Sequence, residues 1–167
     1  MRRCLVAYSL PMTHANRVLV EIVSRGTVDA ILPFVEEFYA HFHYAFVAED
    51  KRSQLEAFVD MHSVGRLLSI ACDGTLVGYA VIAFSYGLEF GGRVAFVDEL
   101  FVRPAVRSTG IGQEALAHIE AVCASCGMRA LRLEVEASNP RAAALYLRNG
   151  YVDHNRCLLT KRLDANS

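Results

Sequence analysis

Arginine, glycines and a helix start fall together in one stretch of this chain, Val102-Arg103-Pro104-Ala105-Val106-Arg107-Ser108-Thr109-Gly110-Ile111-Gly112. It stands between an apolar run and a helical pattern. Glycines there let backbone N–H groups approach an anion closely, the helix N-terminus adds partial positive charge, and Arg107 adds a full one. That is the construction of a pyrophosphate site. No Gly-Lys-Ser/Thr follows, so it is not a Walker loop. The third glycine position of a dinucleotide fingerprint is Ala115, and no early βαβ unit precedes it, which disfavours a nicotinamide dinucleotide. Read alone, the segment is moderately specific; the plainer alternative is that the glycines only break a loop before a helix.

A second stretch runs Asn139-Pro140-Arg141-Ala142-Ala143-Ala144-Leu145-Tyr146 and closes with Asn149-Gly150-Tyr151. Asn139 and Tyr146 are about two helical turns apart, so they share a helix face. Such a face offers an amide and a phenol to one extended ligand. Taken singly, Asn139 reads as a helix cap and Tyr146 as a half-buried core aromatic. Other eye-catching pairs carry less. His41 and His43 stand at i and i+2 and point to different faces. Cys123-Ala124-Ser125-Cys126 has no second pair or matching histidines, so it reads as two small apolar residues one turn apart. No metal is expected.

The elements that must position these residues alternate between strand and helix, which argues for an α/β or α+β sheet protein. Val18 to Arg25 reads as a first strand. Thr27 can cap a helix to about Tyr44, with Ile31, Phe34, Val35, Phe38 and Phe42 at helical spacing. Ser53 and Glu56 read as a capping box inside a short second helix ending near His62. Leu67 to Cys72 and Leu76 to Tyr86 are strands joined by the hairpin signal Asp73-Gly74. A loop from Gly87 to Gly92 leads into Val94 to Val102, apolar in both parities and therefore central in a sheet. Gly110 to Cys126 reads as a helix with Gly127 at its C′ position. Leu131, Leu133 and Val135 mark a strand with one wetter face. Asn139-Pro140 starts a last helix that Gly150 ends, and Tyr151 to Leu163 can supply two closing strands.

The chain has 167 residues, 53% apolar and 21% charged, with a net charge of −1. That is a one-domain length with enough apolar content for a real core. The balance of 17 basic and 18 acidic residues argues against a dedicated binder of nucleic acid or of an anionic membrane. No apolar run is long enough for a membrane span. Cys4, Cys72, Cys123, Cys126 and Cys157 show no disulfide-framework spacing, which points to a reducing, cytoplasmic setting. Arg2-Arg3 followed by Cys4-Leu5-Val6-Ala7-Tyr8 imitates the start of a signal peptide, but Pro11 and His14 interrupt it. Residues 1–17 read as a loosely held extension, with Met12 an alternative start, and 18–167 as a single domain.

The two stretches together resemble the signatures of the GCN5-related N-acetyltransferase (GNAT) superfamily. Arg107-Ser108-Thr109-Gly110-Ile111-Gly112 is similar to its Arg/Gln-x-x-Gly-x-Gly/Ala signature. Asn139-Pro140-Arg141-Ala142, Leu145-Tyr146 and Gly150-Tyr151 are similar to its C-terminal one. The order of elements agrees from Val18 to Leu163. Ser108-Thr109 departs from the pattern, standing where relatives often carry a basic residue or glycine, so phosphate affinity would rest more on Arg107 and the backbone.

The resemblance implies the acyl-CoA N-acyltransferase fold: a mixed, mostly antiparallel sheet flanked by helices, whose two central strands splay apart around acetyl-coenzyme A as co-substrate. By this analogy the backbone of Leu100, Phe101 and Val102 holds the acetyl group and pantetheine. Arg107, Ser108, Thr109, Gly110, Ile111, Gly112 and Gln113 hold the pyrophosphate. Asn139 bonds the pantetheine arm and Tyr146 faces the sulfur. A homodimer is carried over by analogy alone.

Acetyl transfer to an amine needs a neutral nucleophile, and a lysine-type amine has a pKa of about 10.4, so a base must take its proton. Asp98 and Glu99 precede the acetyl-holding backbone, and strand alternation sends them to opposite faces. Glu99, with the longer arm, is the expected base, with Asp98 the alternative; Asp98 is otherwise read as a substrate-side contact, or as the more structural of the two, in an ion pair that fixes the sheet. Tyr146 is the expected acid, since a phenol of pKa about 10 can donate to a departing thiolate of about 8.5. Transfer would be direct, in a ternary complex. The acceptor is expected to be an amine of a small molecule, such as a polyamine, or of a peptide. Tyr86, Glu89 and Phe90 in the hairpin Phe84 to Gly92 could receive it by charge and cation–π contact; aromatics packing a long hairpin is the plainer alternative. A non-catalytic acyl-CoA-binding sensor is the second reading from another class, and release of free coenzyme A would separate the two.

Overall fold

Chain order already dictates most of the sheet, because three consecutive strands are joined by two tight hairpins. The structure, a computed structural model, describes residues 18–163. The extension 1–17, with Arg2-Arg3 and Cys4, lies outside the described residues. Those described fall into two compact units, one ending at Glu134 and one beginning at Val135.

The first unit holds five strands: β1 (Val18–Ile22), β2 (Gly65–Cys72), β3 (Thr75–Gly87), β4 (Gly92–Val102) and β5 (Ala130–Leu133). They are hydrogen-bonded in that same order. The first four run antiparallel to their neighbours, and β5 is parallel to β4. A parallel neighbour needs a crossover, and α3 (Ile111–Ser125) supplies it. The sheet is therefore mixed and mostly antiparallel, as expected. Asp73 and Gly74 take φ of 50° and 78° between β2 and β3, the paired positive values that a two-residue turn of type I′ needs.

Helices cover both faces of this sheet. On one face α1 (Leu32–His41) and α2 (Ala48–Asp60) bury Phe34, Val35, Leu55 and Val59 against Leu67, Tyr79 and Phe101 of the strands. On the other, α3 buries Ile119 and Cys123 against Leu68, Ala80, Ile82 and Val97, and Ile111 and Ala115 against Ile70 and Val77. Two ion pairs from Arg25, to Glu56 and Asp60, and one from Arg52 to Asp29 tie the segment before α1 to α2. The second unit contains α4 (Pro140–Arg148).

Several expected boundaries move. β1 ends at Ile22, and Thr27 does not cap a long helix. It lies within a 3-10 turn, Arg25–Ala30, where Ser24 and Thr27 satisfy each other reciprocally; α1 begins only at Leu32, with proline in its first turn. Ser53 and Glu56 are interior to α2, which starts five residues earlier than Ser53, at Ala48. Its start is marked by Glu49 and Asp50, whose charges favour the helix N-terminus. The Gly87 to Gly92 loop contains a 3-10 turn, Leu88–Phe90, with Gly92 already in β4. β5 stops at Leu133, so Val135 is outside it.

The two closing strands expected from Tyr151 to Leu163 are absent; that stretch carries no regular structure. A half-buried strand needs a face to bury, and Val152, Leu158, Leu159 and Leu163 are all exposed. Asn155 sits at φ 51°, with its N–H donating to Asp153 Oδ1 at 2.7 Å, a local turn that breaks the extended run.

Candidate functional site

Regular pairing fails at one point in the middle of the sheet. From the hairpin, Val97 opposes Ile82, but the next pair is Glu99 with Val81, so Asp98 is an extra residue on β4. Such a bulge bends the strand and re-aims the side chains beyond it. Val97 packs on the α3 side and Glu99 faces α1 and α2, although two residues along a regular strand would share a face. Pairing to β5 also stops at Val97. From Asp98 to Val102, β4 is bonded to β3 alone, and its other edge has no strand partner among the described residues. That edge offers main-chain donors and acceptors to an extended ligand.

Glu99 is partly buried, and the hydroxyl of the fully buried Tyr79 donates to its Oε2 at 2.6 Å. Burial pushes the Glu99 carboxyl above the usual carboxylate range; Tyr79 opposes this, the charge of Asp98 adds to it, and Tyr39 and Lys51 oppose it more weakly. Burial, followed by the Glu99 charge, pushes the Tyr79 phenol up as well. Tyr79 is therefore a donor at every ordinary pH. Asp98 is exposed, and no ion pair forms on it among the described residues.

Glu99 lines a cleft of about 290 Å³ between β3, β4, α1 and α2. Its other walls are apolar, from Val35, Leu55, Phe58 and Met61, with Tyr39, Lys51 and Gln54 as the polar members. Lys51 Nζ donates to Tyr39 Oη at 3.1 Å and to Gln54 Oε1 at 2.9 Å, and stands 4.3 Å from the Tyr39 ring centre. Arg103, just past β4, bonds Glu37 of α1 through Nε at 2.8 Å and lies over the Phe34 ring. This fixes α1 against the strand end.

After β4, a 3-10 turn over Pro104–Val106 leads to Arg107 in extended backbone. Ser108 follows at φ 68° and Gly110 at 91°. Gly110 caps α3 without a side-chain oxygen, so the first-turn N–H groups of buried Ile111 and of Gly112 are left facing outward from the helix end. Arg107 leans back: Nε donates to the Val102 carbonyl at 2.7 Å and the guanidinium lies over the Phe101 ring. Thr109 Oγ1 donates to the Val106 carbonyl, and Gln113 is exposed. Leu100 packs toward α3 while Phe101 packs toward α1. An uncapped helix end behind a glycine turn beside an open strand edge is a combination that fits a pyrophosphate with an extended arm.

In the second unit, Asn139 Oδ1 accepts from the Ala142 N–H at 3.1 Å and so caps α4, with Pro140 in the first turn. This is the capping role read from the sequence; the Asn139 amide nitrogen remains as a donor. Tyr146 is half-buried, its ring 5.7 Å from that of Tyr151, and burial pushes its phenol up.

The hairpin residues are not brought to Glu99. Gly92 and Glu99 are seven residues apart along β4, about 24 Å at about 3.4 Å per residue. Glu89 faces Arg132 at 3.9 Å, Tyr86 is exposed, and Phe90 packs back under Gly87. The cleft residues Tyr39, Lys51 and Gln54, and the buried Tyr79 that bonds Glu99, escaped the sequence reading. Counting back from Gly87–Gly92 would not have found Tyr79: a regular register pairs Glu99 with Ala80, and only the bulge at Asp98 makes Val81 the partner, two residues from Tyr79. Among the described residues no group of three metal-ligating side chains converges. No helix among them is long and apolar enough to cross a membrane.

A family model described as "Acetyltransferase (GNAT) family" matches residues 31–151. The chain is 28% identical over 129 residues to an IAA acetyltransferase of Azospirillum brasilense, covering 75% of this chain and 78% of that protein. Over a shorter stretch of 78 residues it is 35% identical to the thialysine N-epsilon-acetyltransferase of Bos taurus, covering 47% and 45%. An integron cassette protein from the mobile metagenome of Cole Harbour Salt Marsh superposes with a TM-score of 0.76 at 30% identity, covering 87% of this chain and 90% of that one.

Proposed function

Since the chain belongs to the acetyltransferase (GNAT) family, we propose that it transfers the acetyl group of acetyl-CoA to a primary amine of a small molecule or peptide, with both substrates bound at once. The observation that carries this reading is Glu99. It is a carboxyl lifted by burial, held by Tyr79, and lining a cleft beside the open half of β4. A carboxyl raised from its usual range is a better proton acceptor near neutral pH. The acceptor arrives as an ammonium, and Glu99 takes its proton directly or through water.

Acetyl-CoA, the co-substrate of this family, supplies the acetyl group already activated as a thioester. Leu100, Phe101 and Val102 would hold its acyl end by their backbone. Arg107, Ser108, Thr109 and Gly110 through Gln113 would hold the pyrophosphate, with the uncapped start of α3 as the central anion contact. From the second unit, Asn139 would bond the pantetheine arm through the amide nitrogen its capping bond leaves over. Tyr146, kept protonated by burial, would give its proton to the departing thiolate. Asp98 would tune Glu99 through its charge. The cleft, rather than the Tyr86, Glu89 and Phe90 hairpin, is the better place for the acceptor, because Glu99 lines it.

The test is a coenzyme A release assay over a panel of amines, with calorimetric titration of acetyl-CoA beside it. Glu99→Gln is expected to cut kcat by about a hundredfold or more at neutral pH while acetyl-CoA still binds. Tyr146→Phe is expected to lower kcat more than it weakens acetyl-CoA binding. Full turnover in Glu99→Gln would remove the base assignment. Acetyl-CoA binding with no coenzyme A released by any amine would leave a binding module instead.

A further inference from the structure

The cleft beside Glu99 contains a second charge that the transfer reaction does not use. Of its lining residues only Glu99 and Lys51 are ionisable with opposite signs, and they sit in otherwise apolar walls. An ammonium has three donors. Lys51 gives two of them to neutral acceptors, Tyr39 Oη and Gln54 Oε1. No ion pair forms on Lys51 among the described residues, with Glu99 or with any other carboxylate. Tyr39 is itself packed on Phe38, Tyr44 and Phe46, so the ammonium is held over a fixed ring and is not a freely moving surface lysine. The cleft thus presents a positioned cation with one donor left over, linked to the Glu99 carboxyl through Tyr39, whose hydroxyl accepts from Lys51 and acts on Glu99 as well.

We propose that the acceptor is an amine that also carries a carboxylate, its amino end at Glu99 and its carboxylate on Lys51. This rests on the acetyl-transfer reading above. The chemistry of the walls supports it in three ways. A carboxylate on Lys51 completes the third donor with a charge-assisted hydrogen bond. The remaining apolar lining, Val35, Leu55, Phe58 and Met61, suits the methylenes of a short acceptor. A volume of about 290 Å³ is at the small end for ligand sites, which fits an amino-acid-sized molecule. A diamine or a polycationic acceptor would instead set its second cation against Lys51.

The experiment measures kcat/KM for coenzyme A release with three matched series: linear ω-amino acids from β-alanine to ε-aminocaproate, their primary amides, and the corresponding diamines. It is run on the wild-type protein and on Lys51→Met and Lys51→Arg. The expected result is that the best ω-amino acid exceeds its amide and its diamine by at least about tenfold, the scale of one hydrogen bond to a charged group. Lys51→Met should bring the three within about threefold of one another, mainly through KM, and Lys51→Arg should keep the preference. A diamine used as well as the amino acid, or the same ratio in Lys51→Met, would overturn this inference and leave acetyl transfer standing. If no amine releases coenzyme A, the transfer reading fails instead. Calorimetry with ε-aminocaproate then decides the carboxylate site by itself: binding lost in Lys51→Met supports it, and no binding to wild type overturns it.

Discussion

Tyr79→Phe removes a single oxygen from a fully buried ring, and that oxygen donates to Glu99 Oε2 at 2.6 Å. The bond favours the ionised carboxylate, so its loss raises the Glu99 pKa further. A hydrogen bond to a charged group contributes about 1.5–3 kcal/mol, and one pKa unit is about 1.36 kcal/mol. The shift should therefore be about one to two units upward. The assay is kcat/KM for the acceptor against pH, with acetyl-CoA saturating and ionic strength fixed, where the acid limb reports the free enzyme's base. The limb should move to higher pH while the plateau above it recovers most of the wild-type rate. A limb that stays in place, or moves down, would refute the reasoning. A loss of the same factor at every pH would mean that Tyr79 only packs.

The same carboxyl has an effect on stability whose sign follows from its raised folded pKa. Its contribution is fully present below the ordinary glutamate pKa of about 4.3 and is lost as pH rises through the raised folded value. Glu99→Gln should thus melt about 2–4 °C above wild type at pH about 8 for each kcal/mol recovered, with the gap closing toward pH about 4; scanning calorimetry at the two ends checks it. Gly78→Ala should destabilise by about 1–3 kcal/mol in urea unfolding, because the new Cβ would be driven into the Phe101 carbonyl of the paired strand, and backbone cannot yield as a side chain can. Burial pushes the Cys123 thiol up to about 12, whereas Cys157 is exposed. Peptide-resolved alkylation at pH about 8 should therefore modify Cys157 in the native protein and reach Cys123 only on unfolding.

What the sequence makes legible is set by how local each signal is. Asp73-Gly74, the glycine turn before α3 and the Asn139-Pro140 start of α4 are decided within four residues, and each element stands where its cue puts it. The Ser53 and Glu56 reading failed because a capping box is defined by backbone geometry as well as by residue type. The helix charge pattern had already begun at Glu49. The strands expected after Tyr151 failed because alternation signals a face to be buried, and burial is a tertiary fact. Tyr39, Lys51 and Gln54 were invisible for the same reason. They come from two helices that meet only when both pack on β3 and β4, and no spacing in the chain records that meeting. The carboxyl at Glu99 was legible as chemistry, but the reason it faces the cleft was not.

That reason is the single extra residue at Asp98. Strict alternation would put Glu99 on the same face as Val97, toward the apolar cluster that Ile119 and Cys123 of α3 share, where burying a carboxylate is costly. The bulge reverses parity from Glu99 onward, so Glu99 and Phe101 face α1 and α2, and Leu100 takes the α3 side. It also marks where β5 leaves β4, since the last parallel pair is Val97 with Leu133. One local irregularity thus both aims the carboxyl at the cleft and coincides with the strand edge that would hold the thioester. The apolar character of both parities in Val94 to Val102 follows from burial on both faces, Val94 and Ala95 being buried alike. The bulge therefore leaves no trace in the apolar pattern. It changes only which positions face α3, Ala95 and Val97 before it and Leu100 after it, and it sets the candidate base at the joint.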